Sequence, residues 1–215
     1  MKPIRLSLLF AVAAGLGTTA WLQLGPPPGQ RLTRTPVVDQ VLSDRGSPAS
    51  GARATAADVT VVVFTDYQCA ICKRTDPALG RRLAEDPKVR VIWKDWPIRG
   101  PASDFAARVA LAADRQGRYR PVHDALMAAR GQLTPARTLD IARQAGADPV
   151  RLAADLQAQA RAIDAQLGRH RLQAFSLGLQ GTPAYVVGPY LIQGALDDRA
   201  LAAAVRRARR SGPPQ

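Results

Sequence analysis

Apolar residues along this chain repeat with two different periods. Val59-Thr60-Val61-Val62-Val63-Phe64 is a continuous, β-branched run of strand length, and Val89-Arg90-Val91-Ile92-Trp93-Lys94 is a second. Between them, Lys73 to Ala84 reads as a helix with Pro77 inside it. Strand, helix, strand in this order makes the two strands parallel neighbours. Beyond the break at Asp95–Pro101 the spacing becomes helical. Ser103 or Asp104 opens a helix carrying Phe105, Val109 and Ala112, and a second lies near Val122, Leu126 and Ala129. Thr134-Pro135 opens a third with Leu139, Ile141 and Ala142, closed by Gly146. Asp148-Pro149 opens a fourth with Leu152, Leu156, Ile163 and Leu167. A polar cap followed by proline at the first helical position fixes both of these last starts. Ala184–Val187 and Tyr190–Gln193 then flank Gly188-Pro189 as a hairpin, and a final helix runs from Arg199 to about Arg210.

The N-terminal part reads differently. A basic start, Met1-Lys2-Pro3-Ile4-Arg5, precedes a run from Leu6 to Leu24 without a charge. This pattern is that of a secretory signal or an uncleaved signal anchor, and either one exports the remainder of the chain. A buried core helix fits poorly at an extreme N-terminus followed by prolines. Gly25-Pro26-Pro27-Pro28-Gly29 is a stiff spacer. Thr35-Pro36 opens a short helix through Val37, Val38, Val41 and Leu42, and Arg45 to Ala57 is a loop.

A chain of 215 residues, 47% of them hydrophobic, can bury one good core but not two full domains. The formal net charge is +13. The arginines are scattered, apart from Arg206-Arg207-Ala208-Arg209-Arg210, and no zinc-finger, nucleotide-loop or ribonucleoprotein motif accompanies them. A solvated Arg-rich surface is therefore the expectation, and nucleic acid is not an expected partner. His123 is read as a packed helix residue, His170 as a surface one, and Phe105 and Tyr119 as core.

Only two cysteines are present, Cys69 and Cys72, spaced C-x-x-C directly after the first strand. A helix beginning there places Cys69 at its N-terminus, where unpaired N–H groups and the macrodipole favour a thiolate. A structural staple is a weaker reading, because so short a loop yields only about 2 kcal/mol. A resident metal is likewise a weaker reading, since two sulfurs and two distant histidines lack ligand spacing. No cofactor or metal is expected.

Phe64-Thr65-Asp66-Tyr67-Gln68-Cys69-Ala70-Ile71-Cys72, Pro77, and Gly181-Thr182-Pro183 before the second β segment resemble the DsbA-like branch of thioredoxin-fold thiol–disulfide oxidoreductases. The resemblance covers the chain from about Val37 onward, Ser47-Pro48 included. It implies an α/β thioredoxin fold with a helical insertion between the βαβ unit and the C-terminal ββα unit. On this reading residues 1–30 are a signal peptide or N-terminal membrane anchor with its Pro-rich spacer, and 31–58 an N-terminal extension and loop. Residues 59–210 are the domain, with its insertion at about 102–178, and 211–215 are a loose tail.

The resemblance also implies roles. Cys69 is the exposed nucleophile and Cys72 the buried partner that resolves a mixed disulfide. Pro183 is the family's cis-proline, holding the Thr182 backbone beside the cysteines to pair with an extended substrate. Asp66 and Lys73 are candidates for tuning the thiol, with the Lys73 charge solvated. Two features depart from the family pattern. Many relatives carry an acid six residues before the first cysteine, where this chain has Val63. The intervening Ala70-Ile71 also lacks the histidine of oxidising members. The expected activity is an extracytoplasmic protein thiol oxidase that acts on cysteine-containing exported proteins. A reductase or isomerase, or a redox-inert holdase-like module, stays open as an alternative. The implied setting is the periplasm, with possible anchoring to the inner membrane through residues 6–24. A membrane or soluble redox partner recycles the dithiol, and the expected state is a monomer.

Overall fold

A six-stranded mixed sheet organises the computed structural model, which describes residues 29–212. Its strands are β1 (Gln30–Arg31), β2 (Ala49–Gly51), β3 (Val59–Thr65), β4 (Val89–Asp95), β5 (Ala184–Val187) and β6 (Tyr190–Gln193). They lie side by side as β1-β6-β5-β3-β4-β2. The β-branched run of β3 is central, parallel to β4 and antiparallel to β5. Both faces of β3 are covered, which is why its apolar residues run without alternation.

The described residues form eight helices. Helix α1 (Pro36–Ser43) precedes β2, and α2 (Ala70–Glu85) crosses from β3 to β4. Between β4 and β5 come α3 (Pro101–Asp114), α4 (Tyr119–Ala128), α5 (Pro135–Gln144), α6 (Pro149–Ala158) and α7 (Ala160–Ser176), and α8 (Asp198–Ser211) ends the fold. Val61, Val63, Val91, Trp93 and Tyr185 face a core shared with α2, α3, α4 and α8. Val62, Phe64, Ile92 and Val186 face a smaller core with Val41 of α1 and Ala174 of α7. This thioredoxin-like arrangement brings the start of α2 against the turn that leads into β5.

Several expectations are corrected. The stretch 45–57 is not all loop, because β2 pairs antiparallel with β4. That strand ends at Gly51, with φ +91°, where an added Cβ would sit 2.3 Å from the Val89 carbonyl oxygen. The first inserted helix starts at Pro101, not at Ser103 or Asp104. The N–H groups of Ser103 and Asp104 already return to the Gly100 carbonyl, and proline's fixed φ suits the first helical position. The fourth expected helix is two, α6 and α7, meeting at Gln159.

His170 is not a surface residue. It is fully buried, with Nδ1 3.0 Å from the Asp95 carbonyl oxygen and Nε2 2.8 Å from the Ser47 hydroxyl. Burial, then the nearby Lys94 charge, pushes its pKa down to about 3, so it stays neutral. Lys94 is itself buried in β4, where it pairs with Asp44 just after α1. The expected signal or anchor at residues 6–24 lies outside the described residues. Among the described residues, no helix is long and apolar enough to cross a membrane.

Candidate active site

The turn between β3 and α2 is fixed by Asp66. One carboxylate oxygen accepts the Gln68 N–H at 2.7 Å, and the other accepts the N–H groups of Ile98 at 2.7 Å and Arg99 at 3.0 Å. A single buried carboxylate thus ties the active-site turn to the loop after β4. Its role is to hold the backbone at this turn, and its oxygens are spent on N–H groups rather than on a thiol.

Cys69 is the N-cap of α2. Its sulfur accepts the Cys72 backbone N–H at 3.3 Å and contacts the Thr182 carbonyl oxygen at 3.4 Å. The Thr182–Pro183 peptide bond is cis. The structure therefore brings together four of the six residues singled out in the sequence: Cys69, Cys72, Thr182 and Pro183. Both cysteines are free thiols.

The two thiols differ in acidity. Burial pushes Cys69 up, but the S–H and N–H of Cys72, together with Thr182 and the Ile71 N–H, outweigh it and hold Cys69 below the ordinary thiol value. The Thr182 hydroxyl is buried without a hydrogen-bond partner, and it favours the thiolate at both sulfurs. Cys72 lies deeper. Burial, followed by the Cys69 sulfur beside it, pushes Cys72 up to about 12. The pair therefore gives up its first proton at Cys69 and keeps the second on Cys72.

Cys69 is not exposed as expected: its side chain is fully buried. As an N-cap it turns inward over the first turn of α2 and against Thr182, leaving Ala70 and Ile71 exposed between the cysteines. Nor is Lys73 solvated. Its ammonium donates to the carbonyls of Leu126 and Ala129 at the end of α4, and burial lowers its pKa. That engagement spends the ammonium on backbone carbonyls.

Sequence reasoning missed a buried polar network behind the cysteines. The Tyr67 hydroxyl and His123 Nδ1 lie 2.9 Å apart, and His123 Nε2 is 2.9 Å from Asp76 Oδ1. Tyr119 donates to both Asp95 carboxylate oxygens, at 3.1 and 3.2 Å. Burial raises the Asp95 carboxyl to about 6, offset in part by His123, Tyr67 and Tyr119. His123 is packed in a helix as read, but it also pairs. Asp76, at i+4 from Cys72 on α2, was the available signal, because that spacing puts it on the cysteine's helix face. Asp76, His123 and Asp124 cluster closely enough to suggest metal ligands. Their ligand atoms are already engaged, His123 with Asp76 and Asp124 with Arg120, so the cluster is a hydrogen-bonded polar network.

Comparison with known proteins places this geometry. The family model described as a DSBA-like thioredoxin domain matches residues 60–206. The chain belongs to that family. Among solved structures, it resembles a thioredoxin-like oxidoreductase from Silicibacter pomeroyi DSS-3, with 39% identity and a TM-score of 0.74, covering 80% of this chain and 97% of that one. It also resembles a periplasmic thioredoxin-like protein from Salmonella enterica serovar Typhimurium, with 31% identity and a TM-score of 0.71, covering 83% and 99%. A curated relative from Salinispora arenicola, the Na(+)/H(+) antiporter NhaA 1, is 31% identical over 154 residues. That match takes in 71% of this chain but 23% of the antiporter, so the chain spans about a quarter of that relative's length. The DsbA-like fold and its two cysteines are those of a thiol–disulfide oxidoreductase.

Proposed function

We propose that this DsbA-like protein is an extracytoplasmic thiol–disulfide oxidoreductase that introduces disulfides into exported proteins. The observation that carries this reading is the split acidity of the pair, with Cys69 below the ordinary thiol value and Cys72 at about 12. Stabilising the Cys69 thiolate stabilises the dithiol state, so the disulfide tends to be reduced at a partner's expense. Residues 59–210 carry this chemistry. Residues 1–30, with a basic start and an uncharged run, act as the export signal or anchor.

The reaction uses the chain's own atoms. In the oxidised protein, a substrate thiolate attacks the Cys69 sulfur, and the Cys69–Cys72 bond breaks to release Cys72 as the leaving thiolate, which takes up a proton. A second substrate thiolate then attacks the substrate sulfur of the mixed disulfide and releases Cys69. The substrate gains a disulfide and gives up two electrons, and Cys69 and Cys72 end as a dithiol. A membrane or soluble redox partner must then remove those two electrons. The Thr182 backbone lies against Cys69, and its peptide groups are suited to pairing with an extended substrate segment. In the reduced form, where Cys69 is closed against Thr182, that pairing displaces the contact.

The test is trapping. With Cys72→Ala, cysteine-containing exported proteins accumulate as mixed disulfides on Cys69 that reductant releases. With Cys69→Ala, none form. Equal trapping by both variants would contradict the assignment. A reductase direction gains its support from Ala70-Ile71, which supplies no imidazolium between the cysteines. The redox potential decides between the two directions.

A further inference from the structure

A groove of ≈ 1000 Å³ opens beside Cys69, walled by Gln68 and Ala70 on either side of the cysteine, the first turns of α2 and α3, and the segment after α4. Arg74, Arg99 and Arg130 stand along it with Lys73, and none of its lining residues is acidic. The three arginines are exposed, and none of them is among the ion pairs of the described residues. Arginines outside the groove are of both kinds, and Arg161, Arg171 and Arg199 are likewise in no ion pair, so what sets the groove apart is three such charges converging beside Cys69. Arg81, Arg82, Arg108, Arg120, Arg143 and Arg209 each hold an aspartate or glutamate.

The groove is also built rather than merely charged. Asp66 accepts the Arg99 N–H and so holds that loop. The Gln68 side chain accepts the Leu133 N–H at 3.3 Å, tying the segment after α4 to the active-site turn. Two helices begin at its wall: α2 at Ala70, and α3 at Pro101 with no side-chain cap. Their positive ends add to the arginine charges. Met127, Ala102, Ala128 and Ala129 supply an apolar part of the lining alongside the cations.

We infer that this groove takes an acidic polypeptide segment flanking the reactive cysteine of the protein substrate. Carboxylates there meet Arg74, Arg99 and Arg130, while the neighbouring substrate sulfur reaches Cys69. The inference rests on the thiol–disulfide reading above and adds the class of substrate. Charge complementarity at such a site acts mainly on the rate of encounter, and it weakens as salt screens it.

The experiment uses the oxidised full chain and two synthetic dithiol peptides, identical except that the residues flanking the cysteines are Asp in one and Asn in the other. Each is oxidised by the protein's own disulfide, and second-order rates are measured by stopped flow. We expect the Asp peptide to react about tenfold faster at low salt, with the ratio falling towards one at high salt. The triple variant Arg74→Gln, Arg99→Gln, Arg130→Gln should bring the ratio to one at low salt. A second triple variant, Arg161→Gln, Arg171→Gln, Arg199→Gln, removes the same charge outside the groove and should keep the preference. A wild-type ratio of one, or equal loss of preference in both variants, overturns the groove while leaving the thiol–disulfide reading intact. No oxidation of either peptide overturns both.

Discussion

The sulfur of Cys69 lies 3.3 Å from the backbone nitrogen of Cys72 and accepts its hydrogen bond as the cap of α2. One contact thus does two jobs: it satisfies an orphan helix donor and stabilises negative charge on the thiol. In the reduced protein, alkylation of Cys69 should follow a titration below the ordinary thiol range. Cys72, pushed up to about 12, should stay unmodified throughout the neutral range. Because Cys69 is buried, its plateau rate should be slower than that of a free thiol while its midpoint is lower. Alkylation against pH, with each site quantified by mass spectrometry, checks this. Equal midpoints would contradict it.

Thr182 makes a sharper prediction. Its hydroxyl is buried with no hydrogen-bond partner in the reduced protein, and it favours the thiolate at both sulfurs. Thr182→Val keeps the shape and removes the hydroxyl that is free to donate to a thiolate. We expect the Cys69 midpoint to rise by roughly one pH unit, since a charge-assisted hydrogen bond is worth about 1.5 kcal/mol. Thiolate absorbance at 240 nm against pH would read the change, and an unchanged midpoint would remove the hydroxyl from the account.

Asp95 sets a pH dependence of stability. Its carboxyl rises from 3.8 to about 6 on burial, so between those values the folded chain keeps a proton that the unfolded chain has released. This contribution is fully present below pH 3.8, is lost as pH rises through 6, and stays lost above it. The gap is worth about 3 kcal/mol. Asp95→Asn keeps an acceptor for Tyr119 and removes the titration. Relative to the parent, the variant should therefore gain up to about 3 kcal/mol on going from pH 4 to pH 7.5. Urea unfolding of both proteins at the two pH values measures it.

The features legible in the sequence were local. The Val59–Phe64 run, the C-x-x-C after it, the capped helix starts and the Gly188-Pro189 hairpin each declare themselves within a few residues. The elements that escaped reading depend on distant partners. β1 and β2 are two and three residues long and exist only by pairing with β6 and β4. The facing of His170 could not be read because α7 mixes Ala, Leu, Gln and Arg without a sharp apolar stripe. Its placement depends on Ser47, 123 residues away. The Asp76–His123 and Lys94–Asp44 pairs are likewise joined only by folding. At the site, residue identity gave the two thiols. Their closure was hidden, because whether a capping cysteine turns inward depends on the Thr182 segment arriving from across the sheet.

The most direct test of the account is the equilibrium potential of the Cys69–Cys72 couple, measured against glutathione buffers with the two thiols quantified by alkylation. A dithiol stabilised at Cys69, but without an imidazolium at Ala70 or Ile71, predicts an intermediate value. It should lie above the roughly −270 mV of a reducing thioredoxin and below the roughly −120 mV of the strongest oxidases of this fold. A potential at or below the thioredoxin value would contradict both the thiolate-stabilised dithiol and the oxidase direction built on it.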